Sequence, residues 1–233
     1  MGAELLTENV IRKLFVFLFP ACHMQPTAYV GAIMRGGGNM TTPEPGAPGA
    51  KAGVREKYQL MSASEIDRTL VRLAHEIVER NNGGEGLVFV GIRRRGVPLA
   101  SRLAQKISEI EKIATPVGIL DITFYRDDLS TVDQKPVVQR GTLPFSVKDK
   151  IVIMVDDVLY TGRTIRAALD ALVDQGRPRR VDLLVLIDRG HRELPIQASY
   201  IGRVVQTADN EVIEVRLREV DNEERVMMCE KVQ

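Results

Sequence analysis

Short apolar runs alternate with amphipathic helical patterns along most of this sequence, and that alternation constrains the fold more than any other feature. Apolar strands are predicted over residues 87–92, 117–124, 151–155 and 181–187. Apolar residues at helical spacing separate them, from the capping box at Ser62 and Glu65 to Ile77, from Leu99 to Ile110, and from Gly162 to Gln175. Strands and helices in this order form a parallel sheet covered on both faces. The sequence therefore predicts an α/β fold with a mostly parallel, twisted sheet flanked by helices.

The C-terminal part of the chain carries a second pattern. From Gly202 to Val232 the residues alternate in hairpin fashion around Asp209-Asn210 and Asp221-Asn222. We expect antiparallel strands on either side of each of these turns.

Residues 1–53 differ in composition from the predicted domain at 54–233. Between Arg35 and Gly53, six glycines and three prolines occupy nine of nineteen positions. Such a stretch cannot bury enough apolar surface to offset its ordering entropy, so we predict a disordered or mis-started extension, with Met40 as an alternative start. The apolar run 14–19 follows two basic residues like a short signal peptide. A working signal and an interaction segment are the alternatives. The run is too short to cross a bilayer, which takes about 20 residues, and no membrane partner is expected.

Overall charge and cysteine content exclude several classes of function. The chain has 32 Lys and Arg against 31 Asp and Glu, so nucleic acid could be bound only by a local basic patch. Two cysteines, Cys22 and Cys229, exclude a disulfide framework and a four-cysteine zinc site. Reduced thiols of this kind predict a cytoplasmic protein.

The stretch from Ile151 to Thr164 carries the clearest chemical signal. A buried strand leads into Asp156 and Asp157, at the edge of the sheet where open α/β folds bind ligands. A turn with Thr161 and Gly162 then opens a helix, whose first N–H groups form an anion site. Paired acids beside a phosphate cradle suit a ribose 5-phosphate, whose hydroxyls would bind the acids. Alternatively, the acids merely end a strand and the turn merely caps a helix.

The same fourteen residues resemble the phosphoribosyl pyrophosphate (PRPP) signature of the type I phosphoribosyltransferases. Neither G-x-G-x-x-G nor G-x-x-x-x-G-K-[ST] occurs, which excludes the Rossmann and P-loop alternatives. Two further segments, 121–130 and 188–196, narrow the resemblance to the bacterial bifunctional proteins that regulate pyrimidine genes and act as uracil phosphoribosyltransferases. The resemblance extends from Tyr58 to the C-terminus. It implies a type I phosphoribosyltransferase fold with a small hood and a mobile hairpin.

This resemblance assigns roles to individual residues. It implies catalytic roles for Asp156, Asp157, Arg126 and Arg140. It places PRPP and nucleotide binding on Arg94, Arg95, Asp156, Asp157, Val158, Leu159, Tyr160, Thr161, Gly162, Arg163 and Thr164. The hairpin between Asp127 and Phe145 would bring Arg140 or Lys135 to the leaving pyrophosphate. Uracil would lie near Arg189 and the backbone at Ile213. Mg²⁺ would arrive with PRPP and not in a protein cage, since it prefers phosphate oxygens and water.

Regulation is the second implied function. The resemblance implies binding of a pyrimidine-gene mRNA leader in the presence of UMP or UTP, and assembly as a homodimer or higher homo-oligomer. RNA-binding roles fall on His75, Arg80, His191, Arg192 and Arg203. Val71 and Gln197 stand where relatives often carry a hydroxylated residue and an arginine. The alternatives are a solvated basic face and a phosphoribosyltransferase, for uracil or another base, that has lost its RNA-binding surface.

Overall fold

The computed structural model describes residues 53–122 and 143–232. Residues 1–52 of the predicted extension at 1–53 lie outside these described residues, as do Arg126 and the predicted hairpin residues Lys135 and Arg140.

A five-stranded parallel sheet forms the centre of the fold. Its strands are β2 (Leu87–Ile92), β3 (Val117–Leu120), β4 (Ile151–Leu159), β5 (Arg180–Asp188) and β6 (Tyr200–Val204). They lie in the order β3-β2-β4-β5-β6, and each neighbouring pair is parallel. The middle strands are apolar on both faces because both faces are covered. The predicted parallel sheet is confirmed.

Three helices cover this sheet. They are α1 (Ala63–Asn81), α2 (Gly96–Glu111) and α3 (Arg163–Val173). The first two pack with Phe89, Ile153 and Leu184 in one core, and α3 packs with Val90 and Met154 in a second core on the opposite face. The predicted capping box at Ser62 starts α1, as expected from its spacing.

A small antiparallel unit, which we call the hood, completes the described part of the chain. It contains β1 (Val54–Ser62), β7 (Glu211–Arg216), the short helix α4 (Arg218–Asp221) and β8 (Arg225–Lys231), with strand order β1-β8-β7. Within the described ranges 53–122 and 143–232, every helix is too short or too polar to span a membrane.

Two details differ from the sequence-based expectation. Strand β4 continues past Val155 to Leu159, because β5 offers it a partner as far as Asp188. The two acids therefore lie within the strand and not after its end. The hairpin expected at Asp209-Asn210 is wrong, since β6 belongs to the parallel sheet and β7 to the hood. Asp221-Asn222 does connect antiparallel strands, β7 and β8.

Candidate active site

Asp156 and Asp157 lie side by side near the carboxyl end of the central strand β4. Asp156 is 7% exposed and Asp157 is half-buried. Each carboxylate accepts a hydrogen bond from the next backbone amide, Asp156 Oδ1 from Asp157 N at 2.9 Å and Asp157 Oδ1 from Val158 N at 3.0 Å. The pair stands at the sheet edge where ligands bind in this class of fold.

Burial raises the pKa of both acids. For Asp156 the desolvation of the buried carboxylate raises the pKa well above its ordinary range, and the neighbouring charge of Asp157 adds to the effect. For Asp157 burial also raises the pKa, but the positive charge of Arg95 opposes the shift. Burying two neighbouring carboxylates costs free energy, and such a pair indicates a ligand-binding site.

The turn after β4 forms the predicted phosphate loop, which we define as residues 160–164. Gly162 has φ +92° and precedes the first residue of α3, so the loop leads directly into a helix N-terminus. The positive φ favours glycine at this position, and a Cβ there would lie 3.3 Å from Ile196 Cδ1, a tight contact. Backbone N–H groups and the helix dipole together favour an anion here.

The loop between β2 and α2 carries the predicted pyrophosphate-binding arginines. Arg93 pairs with Asp121 at 2.8 Å. Arg95 donates two hydrogen bonds to Asp221 in the hood, at 3.0 and 2.7 Å. Arg94 is exposed and makes no ion pair with the residues that the structure describes. Of the two arginines predicted to bind PRPP, Arg94 is therefore placed to reach a ligand, and Arg95 connects the loop to the hood.

Gly96 brings this loop against the central strand. A Cβ at position 96 would lie 2.2 Å from the carbonyl oxygen of Val155, the residue before Asp156. Only glycine permits such an approach. The loop between β2 and α2 is thus held against the backbone of β4, next to the paired acids.

Arg189 is buried beside the phosphate loop. Its guanidinium lies 4.0 Å from the ring centroid of Tyr160 and donates to Thr207 Oγ1 at 3.2 Å and to the carbonyl of Glu211 at 2.8 Å. Burial lowers the pKa of Arg189. The side chain of Ile213 is buried in the core, so only its backbone is a candidate for base recognition.

The five predicted RNA-binding residues lie on two parts of the surface. His75 and Arg80 are exposed on α1, where Arg80 donates to the carbonyl of Ser199 at 2.8 Å. Arg203, on β6, donates to the carbonyl of Leu60 near the end of β1, the strand that precedes this helix. His191 and Arg192 follow β5 beside the phosphate loop, and His191 Nε2 lies 2.6 Å from the carbonyl of Thr207. The prediction that all five bind RNA stays a prediction.

Sequence reasoning missed two residues of this site. Thr207 contacts both Arg189 and His191, and Asp221 binds Arg95 from 126 residues away in the chain. Neither position has a local pattern that marks it, because their partners are set by the tertiary fold.

A divalent cation fits the chemistry of this site only together with a ligand. Asp156 and Asp157 supply the oxygen donors that Mg²⁺ prefers. Among residues 53–122 and 143–232, no group of three or more His, Cys, Asp or Glu side chains could hold a metal. Phosphate oxygens of a substrate would therefore have to complete the coordination.

Comparison with known proteins identifies the class. Residues 60–220 match the family model described as the phosphoribosyl transferase domain. The hypoxanthine phosphoribosyltransferase of Trypanosoma cruzi aligns with a TM-score of 0.58 at 15% identity, over 76% of this chain and 98% of that one. A hypoxanthine phosphoribosyltransferase from Staphylococcus aureus gives 0.56 at 20%, over 76% and 93%. Fold and site together define a type I phosphoribosyltransferase.

Closer relatives define the family within this class. "Bifunctional protein PyrR" of Pelotomaculum thermopropionicum is 61% identical over 176 residues, which cover 76% of this chain and 97% of the relative. PyrR of Thermus aquaticus is 57% identical over 178 residues, 76% of this chain and 98% of the relative. The chain belongs to the PyrR family, which confirms the family predicted from the sequence.

Proposed function

We propose that this protein transfers the phosphoribosyl group of PRPP to N1 of uracil, producing UMP and pyrophosphate, and that it also regulates pyrimidine genes. One observation carries the enzymatic part: two adjacent carboxylates on β4, one buried and one half-buried, lie just before a glycine-containing loop that leads into α3. Membership of the PyrR family supports the choice of uracil and the second, regulatory function.

In the proposed reaction, the bond from C1 of the ribose to pyrophosphate breaks and a bond from C1 to N1 of uracil forms, with loss of the N1 proton. The transition state carries oxocarbenium character on the ribose, as in other glycosyl transfers. Asp156 and Asp157 would hold the ribose hydroxyls, and the phosphate loop would hold the 5′-phosphate. Arg94 would bind the departing diphosphate, with Arg126 and Arg140 as further candidates outside the described residues. Catalysis is then mainly positioning and stabilisation of charge.

Mg²⁺ would enter this site with PRPP. When bound, it would neutralise charge on the pyrophosphate leaving group. The acids on β4 would orient it through water, and the protein would contribute no separate cage.

The base specificity is tested by a panel assay. Purified protein is incubated with PRPP, Mg²⁺ and each free base, and release of pyrophosphate is measured. We expect uracil to be the preferred base. Preference for a purine would contradict the proposal and would support the alternative of a phosphoribosyltransferase for another base.

The regulatory part rests on local charge and on the family. Around β5 and β6, six arginines stand against three acids, Arg177, Arg179, Arg180, Arg189, Arg192 and Arg203 against Asp182, Asp188 and Glu193. Asp188 and Arg189 are both buried, so the excess of positive charge is the same for the five arginines and two acids that remain. His75, Arg80 and Arg203 on the α1 and β6 side are the best placed for RNA, since Arg80 and Arg203 are exposed there.

We predict that UMP strengthens binding to the leader RNA of the organism's own pyrimidine genes. Filter binding with and without UMP measures this effect. Replacing Arg203 by glutamine should weaken binding and reduce the salt dependence by about one unit of slope, as expected for one lost phosphate contact. Equal affinity with and without UMP would favour an enzyme that has lost its RNA-binding surface.

We further propose that residues 54–233 are sufficient for both functions.

Deletion of residues 1–52 tests this domain boundary. The segment from Arg35 to Gly53 is rich in glycine and proline, and the family model begins at residue 60. We expect the shortened protein to retain its turnover and its melting temperature. A fall in melting temperature of more than about 5 °C, which corresponds to about 1 kcal/mol in a small domain, would contradict the boundary.

A further inference from the structure

The segment that follows β5 binds the carbonyl side of the phosphate loop. We call residues 188–196 the clamp segment. The carbonyl of Thr161 accepts hydrogen bonds from the amides of Glu193 at 3.0 Å and Leu194 at 3.2 Å. The carbonyl of Leu159, just before the loop, accepts one from the amide of Arg189 at 3.1 Å. The loop is therefore attached to the clamp segment through its backbone.

Arg192 is the side chain that joins these parts. Its Nη1 donates to the carbonyl of Tyr160 at 2.9 Å and to that of Gly190 at 3.0 Å. Its Nη2 binds Asp188 Oδ2 at 2.5 Å, and its Nε donates to the carbonyl of Ile196 at 3.0 Å. The Arg192 side chain is only 22% exposed, so most of its donors are directed into the protein.

These contacts determine where the amides of the loop point. In a trans peptide the C=O and the N–H point in opposite directions. Holding the carbonyls of Tyr160 and Thr161 on the clamp side therefore directs the N–H groups of Thr161 and Gly162 to the other side. Neither N–H donates to another residue within the described part of the chain, so both are available to an anion.

We propose that Arg192 is a positioning residue for the phosphate loop, acting on the 5′-phosphate of PRPP or UMP through the loop carbonyls and not by contact. The inference rests on the proposed function, because it takes the loop as the 5′-phosphate site. It also changes the expected role of Arg192 in RNA binding. Loss of Arg192 would weaken RNA binding by weakening UMP binding, whereas loss of Arg203 would act on RNA alone.

The test compares Arg192→Gln with Arg68→Gln, which removes the same charge from an exposed position on α1. Turnover gives kcat and the KM values of PRPP and uracil, and calorimetry gives the Kd of UMP and of ribose 5-phosphate. For Arg192→Gln we expect the KM of PRPP and both Kd values to rise about 10- to 100-fold, as for a lost charge-assisted hydrogen-bond network. The KM of uracil and kcat at saturating PRPP should change little. Arg68→Gln should match the wild type in all of these.

Arg192→Lys keeps the charge but loses the forked geometry, so it should show an intermediate rise. It also carries the test if Arg192→Gln does not fold. Unchanged ribose 5-phosphate and UMP affinities in a folded Arg192 variant would overturn the inference. A fall in kcat and a rise in the KM of uracil, each as large as the rise in the KM of PRPP, would also overturn it. Such changes would indicate that the whole active site is disturbed. A wild type without turnover would refute the proposed function separately, and a weaker ribose 5-phosphate affinity in Arg192→Gln would still support the inference.

Discussion

Replacing Asp156 and Asp157 together by asparagine is expected to abolish UMP formation without unfolding the protein. Both acids lie near the carboxyl end of β4, so under the proposed function their loss removes contacts to the ribose and not core packing. Losing two charge-assisted hydrogen bonds should cost about 3–6 kcal/mol of transition-state binding. Pyrophosphate release at saturating PRPP and uracil measures the effect.

Two aspartates at the C-terminal end of α3 provide a control with the same change of charge. Asp170 and Asp174 are exposed, and the double change to asparagine removes the same two charges away from the site. This control should turn over like the wild type. Wild-type turnover in the Asp156 and Asp157 double variant would refute the assignment of the acids.

The same acids predict a pH dependence of stability in the protein without ligand or Mg²⁺. Burial raises the pKa of Asp156 and of Asp157 in the folded state. As pH falls from neutral towards the pKa of an unfolded carboxyl, the folded state therefore takes up protons before the unfolded chain does. The free energy of unfolding should rise across that window. Urea denaturation at several pH values measures this, and the asparagine double variant should lose that part of the dependence.

Gly96→Ala is expected to have the largest effect on the fold among single methyl additions at this site. The added Cβ would lie 2.2 Å from the carbonyl oxygen of Val155, and a backbone atom of the central strand cannot move aside cheaply. Overpacking of this kind costs about 1–3 kcal/mol or more of the free energy of unfolding. The start of α2 would also shift, so the KM of PRPP should rise.

Gly84→Ala is the matched comparison for that prediction. Its added Cβ would meet Ile113 Cδ1 at 2.7 Å, the far end of a flexible side chain. Urea denaturation should show a smaller loss for Gly84→Ala than for Gly96→Ala. Equal losses would show that the backbone contact at Gly96 is not the cause.

The parallel sheet and its helices could be predicted because their signals are local. Strands β2, β4 and β5 are nearly continuous apolar runs, and α1 has a capping box together with apolar residues at helical spacing. The paired acids could be predicted for the same reason, since they directly follow such a run.

The hood was predicted less completely than the parallel sheet, because the pairing of its strands is not marked by local sequence patterns. Strand β1 is exposed at most of its positions, and its partner β8 lies at the other end of the domain. The partners of Arg95 and Arg192 also depend on the tertiary fold. Sequence alone marks both arginines as cations ready for a ligand, whereas the structure shows them bound to Asp221 and to the loop carbonyls.

The pairing of β1 with β8 has a consequence for the order of folding during synthesis. In the hood sheet, β1 has β8 as its partner, and Val54 lies opposite Lys231. Strand β1 therefore cannot pair until β8 has left the ribosome, whereas the parallel strands can assemble earlier. A chain that stops before Arg225 would keep β1 as an unpaired strand edge, which is a template for aggregation. Chains that lack β8 would thus expose an unpaired strand that chains containing β8 do not expose.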